Sequence, residues 1–259
     1  MVRYRKVILM KNPCQLMKSN GKKVISLEGA LSYWGFRLKQ RIGQGRFGTC
    51  YEISGNSGNY VLKLYHANDV KRRKEKLVWE GKWLKMVDHP AIPEVIADFD
   101  QDGFYGLILE KMTGNDLEAL IDSDHEFKKE EIIAILTQLI EIVDYLYGLK
   151  ISHRDLKVSN ILWTGSKLAL IDFGSARFIP QFNKRFNPDF WGIGDVFMRL
   201  SAMCHEIMPS SDDFLIDQLR LNDNEKIVLK RMLYIETPYQ NINELKHDFN
   251  AAFLNNNLI

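Results

Sequence analysis

The hydrophobic pattern changes period near residue 112. Before that point short apolar runs alternate with polar positions and are cut by glycine turns; beyond it, apolar residues recur at helical spacing. In residues 36–64, "FRLKQRI" alternates and runs into "GQGRFG". "TCYEIS" follows, then the hairpin signal "GNSG", then "NYVLKLY". This predicts strand, turn, strand, turn, strand. A helix is predicted over 70–87, with Leu77, Leu84 and Val87 on one face and Trp79 and Trp83 on another. Gly81 inside it costs ~1 kcal/mol relative to alanine, and "HP" at His89–Pro90 ends it. Short strands are predicted near 94–98 and 105–110, joined by "DQDG". A long helix is predicted over 128–149, carried by Ile132, Leu136, Leu139, Val143 and Leu146. Two strand-like pieces, "NILW" and "LALID", flank "TGSK", and helices with polar loops fill the rest. Strands first and helices later make an α+β chain in two parts joined at about 112–115. The expected division is an extension over 1–35, a strand-rich part over 36–112 and a helical part over 113–259.

Bulk properties narrow the classes. The chain has 259 residues, 46% apolar and 26% charged, an ordinary globular balance. A formal net charge of +2 gives no cause to expect a nucleic-acid partner. Cys14, Cys50 and Cys204 lack metal or disulfide spacing, which points to a reducing, cytoplasmic setting. No apolar run has the length of a membrane span or a signal-peptide core. Export by a route without a cleavable signal stays open.

Three groups of residues carry candidate chemistry. Gly43, Gly45 and Gly48 fit G-x-G-x-x-G, but between two strands rather than ahead of a helix, where bare backbone can approach phosphate oxygens. Spaced glycines also occur in plain hairpins. Lys63 ends "YVLK", and Glu80 follows seventeen residues later on the predicted helix. A buried ammonium needs a carboxylate. Glu75 competes for that role but sits in the charged run "KRRKEK". In "HRDLKVSN", residues 153–160, Asp155 and Asn160 lie five apart, and Asp172 follows in "DFG". One carboxylate can orient a hydroxyl; an amide and a second carboxylate can hold a hard cation through oxygen. Phosphoryl transfer asks for those parts.

"IGQGRFGTCY", "VLK", "HRDLKVSN" and "DFG", in that order over roughly 36–200, resemble the eukaryotic-type (Hanks-type) serine/threonine protein kinases. The resemblance implies a bilobal protein-kinase-like fold, with an N-terminal antiparallel sheet plus one helix and a mostly helical C-terminal lobe. It implies ATP and Mg²⁺, or Mn²⁺ in its place, and a protein substrate. Gly43, Gly45 and Gly48 would cover the phosphates. Lys63 would touch them and pair with Glu80. Asp155 would accept or orient the hydroxyl, Lys157 would neutralise the γ-phosphate, and Asn160 and Asp172 would hold the metal. Leu109 would be the gatekeeper, Glu110 and Met112 would offer backbone bonds to adenine, and Asp116 would reach the ribose. Ile42, Cys50, Val61 and Leu162 would line the adenine slot; Cys50 and Val61 stand where valine and alanine are usual. His153 would pack and hydrogen-bond beneath the metal turn.

The chain departs from the family between Asp172 and Asp189. No "APE" occurs there, and 236–245 lacks the arginine that would pair with its glutamate. Ser175 is the sole hydroxyl in 175–188. The implication is activity without phosphorylation of that segment. Arg154, with no phosphate to meet there, would pair locally. Substrates would dock elsewhere or on a docking or activating protein, and Arg177, Lys184 and Arg185 could favour acidic sequences. A small-molecule or sugar kinase is the alternative that the short segment favours, and Lys157 with the complete glycine loop weighs against it. A non-catalytic nucleotide-binding scaffold has no need of all five of Lys63, Glu80, Asp155, Asn160 and Asp172.

Overall fold

Alternation in residues 36–65 becomes an antiparallel sheet. The structure is a computed structural model that describes residues 26–45, 48–101, 104–179, 186–203 and 216–254, with the side chains of 67, 69–77, 101 and 203 outside that description. Helix α1 (Leu27–Tyr33) comes first, with Ser26 capping it by accepting from the Gly29 amide at 3.2 Å. Strands β1 (Arg37–Gln44), β2 (Gly48–Gly55) and β3 (Gly58–Tyr65) follow, then helix α2 (Ala67–Met86) and strands β4 (Val95–Gln101) and β5 (Phe104–Glu110). The strand order is β1-β2-β3-β5-β4. β5 lies inside the sheet and is buried over Tyr105–Leu109, which explains its unbroken apolar run. β1 is an edge strand, and its alternation leaves Ile42 47% exposed.

Two compact units divide the chain. The first runs to His89 and resumes over Pro93–Lys111; the second holds Pro90–Ile92 and everything from Met112 onward. Pro90–Ile92 is tied to the second unit by the Leu170 amide, which donates to the Ala91 carbonyl at 2.8 Å. The stretch expected to be an extension contributes to the first unit's core. Ala30 and Leu31 are almost fully buried in a cluster with Phe36, Ile53, Leu62, Ala97, Phe99 and Ile108. Trp34 meets Phe99 edge-on at 5.4 Å. Helix α1 escaped the sequence reading because seven residues give less than two full turns of periodicity.

In the second unit, β6 (Asn115–Asp116) leads into α3 (Leu117–Asp122), and α4 (Lys129–Gly148) is the central helix. Its stripe of Ile132, Ile135, Leu136, Leu139, Ile142, Val143 and Leu146 is buried, wide enough to face several elements. β7 (Ile151–Ser152), β8 (Ile161–Trp163), β9 (Leu168–Leu170) and β10 (Arg177–Phe178) form a three-stranded sheet β6-β8-β9 and a pair β10-β7. Helices α5 (Pro188–Met203), α6 (Asp223–Met232) and α7 (Ile242–Phe253) follow. Among the described residues, no helix is long and apolar enough to cross a membrane.

Candidate active site

In the first unit the lysine and the helix carboxylate meet. Lys63 Nζ lies 2.7 Å from Glu80 Oε1, and the Tyr65 hydroxyl donates to Glu80 Oε2 at 2.7 Å. Lys63 is 7% exposed and Glu80 3%. A charge so buried is tolerable because both carboxylate oxygens are bonded. Gly81 explains how α2 comes close enough. A Cβ there would stand 3.0 Å from Leu107 Cδ2 of β5, so the helix rests against the sheet beside Glu80. The side chain of Glu75, the rival partner, lies outside the description.

The three loop glycines divide by cause. A Cβ on Gly43 would meet nothing within 4 Å, and one on Gly45 only the Gly48 carbonyl at 3.9 Å. A Cβ on Gly48 would stand 2.4 Å from the Leu64 carbonyl oxygen. Gly48 is therefore required by the pairing of β2 with β3, whereas Gly43 and Gly45 leave open space that a phosphate could use. Residues 46–47 of the loop lie outside the described residues. Val61 pairs with Leu109 across β3 and β5, and Cys50 with Lys63 across β2 and β3. Cys50 is half-buried. The Glu110 amide already donates to the Glu94 carbonyl at 2.9 Å, so any backbone bond from Glu110 to a base comes from its carbonyl.

The second unit gathers the other candidates. Asn160 Nδ2 donates to the Asp155 carbonyl at 2.8 Å and to its Oδ2 at 3.0 Å, and Lys157 Nζ lies 3.2 Å from the same Oδ2. With both amide hydrogens spent on Asp155, Asn160 keeps its Oδ1 for another partner. Asp172 stands at φ +63°, and its Oδ1 accepts from the Gly174 amide at 3.1 Å, which fixes the turn. His153 is fully buried, edge-on to Phe173 at 4.7 Å. Its Nε2 bonds the Ile171 carbonyl at 3.2 Å and its Nδ1 accepts from the Asp155 amide at 3.4 Å. Burial lowers its pKa against the opposing pull of Asp189, Asp172 and Asp155, and the two hydrogen bonds fit an imidazole with its proton on Nε2.

Asp116 and Leu162 pair across β6 and β8. Asp116 Oδ1 also caps α3, accepting from the Ala119 amide at 2.7 Å, a structural duty the sequence reading did not assign. Met112 is half-buried in this unit. Arg154 is exposed. Lys184 and Arg185 lie outside the described residues.

Asp189 organises this loop. It is 1% exposed, and its carboxylate accepts from the Ser152 hydroxyl at 2.7 Å, the His153 amide at 3.1 Å and the Arg154 amide at 2.6 Å. Arg154 has φ +67°, an unfavoured conformation for a side-chain-bearing residue. The charge-assisted bond to its amide stabilises that bend one residue before Asp155. Gly192 lets α5 approach the loop, since a Cβ there would stand 2.7 Å from Leu156 Cβ. The sequence reading used Asp189 only as a landmark. The run Asn187–Pro188–Asp189, with a capping residue, proline at the first helical position and an acid in the first turn, carried a readable signal.

The Asp155–Asn160–Lys157 cluster can orient a hydroxyl and place a positive charge beside it. Among the described residues, no group of three or more histidine, cysteine, aspartate or glutamate side chains could hold a metal by itself. A cation here would rest on Asn160 and Asp172 oxygens and complete its shell from phosphate and water, which is how Mg²⁺ is commonly bound.

Comparison with known proteins agrees with this arrangement. The family profile described as the protein kinase domain matches residues 36–205. The probable serine/threonine-protein kinase YbdM of Bacillus subtilis is 28% identical over 228 residues, covering 84% of this chain and 89% of that protein. Smooth-muscle myosin light chain kinase of Gallus gallus is 27% identical over 219 residues, 74% of this chain but 11% of the larger protein. Serine/threonine-protein kinase Nek11 of Macaca fascicularis is 32% identical over 152 residues, 55% of this chain and 24% of that one. With the match spanning more than half of its length, the chain belongs to the protein kinase domain family, as a serine/threonine protein kinase of α+β architecture.

Proposed function

We propose that the protein transfers the γ-phosphoryl group of ATP to serine and threonine hydroxyls of protein substrates, in a Mg²⁺-dependent reaction that needs no phosphorylation between Asp172 and Asp189. The observation that carries the reading is the held Asp155 carboxylate, bonded by Asn160, paired with Lys157 and preceded by a backbone pinned to Asp189. In the step itself the substrate oxygen bonds to Pγ, the bond from Pγ to the ADP oxygen breaks, and the hydroxyl proton passes toward Asp155. Lys157 sets a positive charge against the transferring group. Lys63, locked by Glu80, contributes a fixed ammonium for the α- and β-phosphates. Asn160 and Asp172 would hold the metal, whose chemistry is to neutralise charge on the phosphate oxygens. Gly43 and Gly45 present bare backbone to phosphate. In the first unit Ile42, Cys50 and Val61 offer apolar surface and the Glu110 carbonyl an acceptor suited to a base; in the second, Leu162 offers apolar surface, Met112 its backbone and Asp116 a carboxylate suited to a ribose.

Independence from phosphorylation is supported by the position of Ser175. It is half-buried in the short turn Phe173–Ser175, which directly follows Asp172. Incubation with labelled ATP, Mg²⁺ and a serine/threonine peptide library tests the whole reading. Asp155→Ala should reduce transfer by about 10²–10⁴-fold, the usual loss of a general base, and phosphatase treatment should leave the wild-type rate unchanged. Wild-type transfer by Asp155→Ala refutes the role of Asp155. Loss of activity on dephosphorylation of 175–188 refutes the independence.

A further inference from the structure

The end of the segment that precedes α5 is tied down by groups that the proposed reaction does not use. Asn187 Oδ1 accepts from the Tyr147 hydroxyl at 2.8 Å and from the amides of Asp189 at 3.0 Å and Phe190 at 3.3 Å. The Asn187 amide donates to the Tyr234 hydroxyl. The rings of Phe186 and Tyr234 lie 5.1 Å apart. Tyr147 also reaches Asp189 Oδ2 at 3.1 Å, so its single hydrogen is shared between the asparagine and the buried carboxylate.

Tyr234 has φ +65°, one residue beyond Leu233, which closes α6. A left-handed residue in that place is normally glycine, because a Cβ is strained there. A tyrosine kept in strain is a pointer to what its side chain does. Here the side chain holds the backbone of Asn187. Asn187 in turn holds the first turn of α5, and with it Asp189, whose carboxylate fixes the amides of His153 and Arg154.

We propose that Asn187 and Tyr234 are positioning residues for Asp155, locking Asp189 so that the backbone turn before Asp155 keeps its carboxylate in line. The proposal rests on the reading of Asp155 as the group that takes the hydroxyl proton. It also accounts for the lost "APE" ion pair: the two hydrogen-bonding side chains anchor the segment's end without charge.

Steady-state kinetics with Mg²⁺–ATP and the serine/threonine peptide library test it, alongside melting temperature. Asn187→Ser still caps α5 but is too short to keep both the cap and Tyr147. Tyr234→Phe keeps the ring against Phe186 and removes only the hydroxyl. Each should lower kcat by about ten- to a hundredfold, the scale of a slight misplacement of a reacting group, with KM for ATP unchanged. The double variant should fall no further than the worse single one, since both act along one chain of bonds. Wild-type kcat in the two single variants, kcat loss that follows melting temperature and KM together, or additive losses would each overturn the proposal. If Asn187→Ser does not fold, Tyr234→Phe decides alone. Asp155→Ala is run beside them: full activity there removes the underlying reading, whereas its loss with intact Tyr234→Phe removes the positioning role only.

Discussion

Lys63 and Glu80 show how much a single residue can hold. Lys63→Ala would leave a buried carboxylate held by the neutral Tyr65 hydroxyl, and breaking a buried pair costs about 3 kcal/mol. Urea denaturation should show that loss, and Lys63→Ala should also lose transfer activity. His153 makes a prediction with a sign. Its folded-state pKa lies below the ordinary 6.5, so the unfolded chain takes up a proton first as pH falls. The contribution is complete above pH 6.5 and is lost on acidification toward the lower folded value. Urea midpoints measured from pH 7 to 5, in the absence of divalent metal, should fall for the wild type and fall less for His153→Phe. At this scale the motif residues were legible, because "HRDLKVSN" and "DFG" place polar groups at fixed short spacings. Tyr234 was not: its bond to Asn187 spans 47 positions, and nothing local in the sequence marks it.

Two helical glycines look alike in sequence and differ in their surroundings. At Gly81 the nearest obstacle is the end of the Leu107 side chain, 3.0 Å from the missing Cβ, and alanine regains about 1 kcal/mol of helix propensity. Gly81→Ala should therefore leave the melting temperature nearly unchanged. At Gly192 the obstacles are Leu156 Cβ at 2.7 Å and its carbonyl oxygen at 2.8 Å. Gly192→Ala should destabilise by about 1–3 kcal/mol, the cost of overpacking, and should lower kcat because Leu156 follows Asp155 directly. Thermal melts and kinetics on the two variants compare these outcomes. The sequence reading could price the helix propensity of Gly81 but not the contact that offsets it, since the neighbour belongs to another element. The long helix α4 was legible because twenty residues repeat one apolar stripe. Helix α3, six residues capped by Asp116, was too short to announce itself.

For the chain as a whole, the change from strand to helix near residue 112 was legible in the hydrophobic period, and the units divide between Lys111 and Met112. What the pattern did not reveal was that residues ahead of β1 belong to the first unit. The family match begins at Phe36, yet Leu31 is fully buried in the cluster formed with Ile53, Leu62, Phe99 and Ile108. Burying such a leucine is worth about 1.5–3 kcal/mol. A protein trimmed to start at Phe36 would present an oily patch of sheet to water. It should melt at a lower temperature and self-associate in light scattering as concentration rises. The edge of a recognised family is thus a poor guide to where this kinase can be cut.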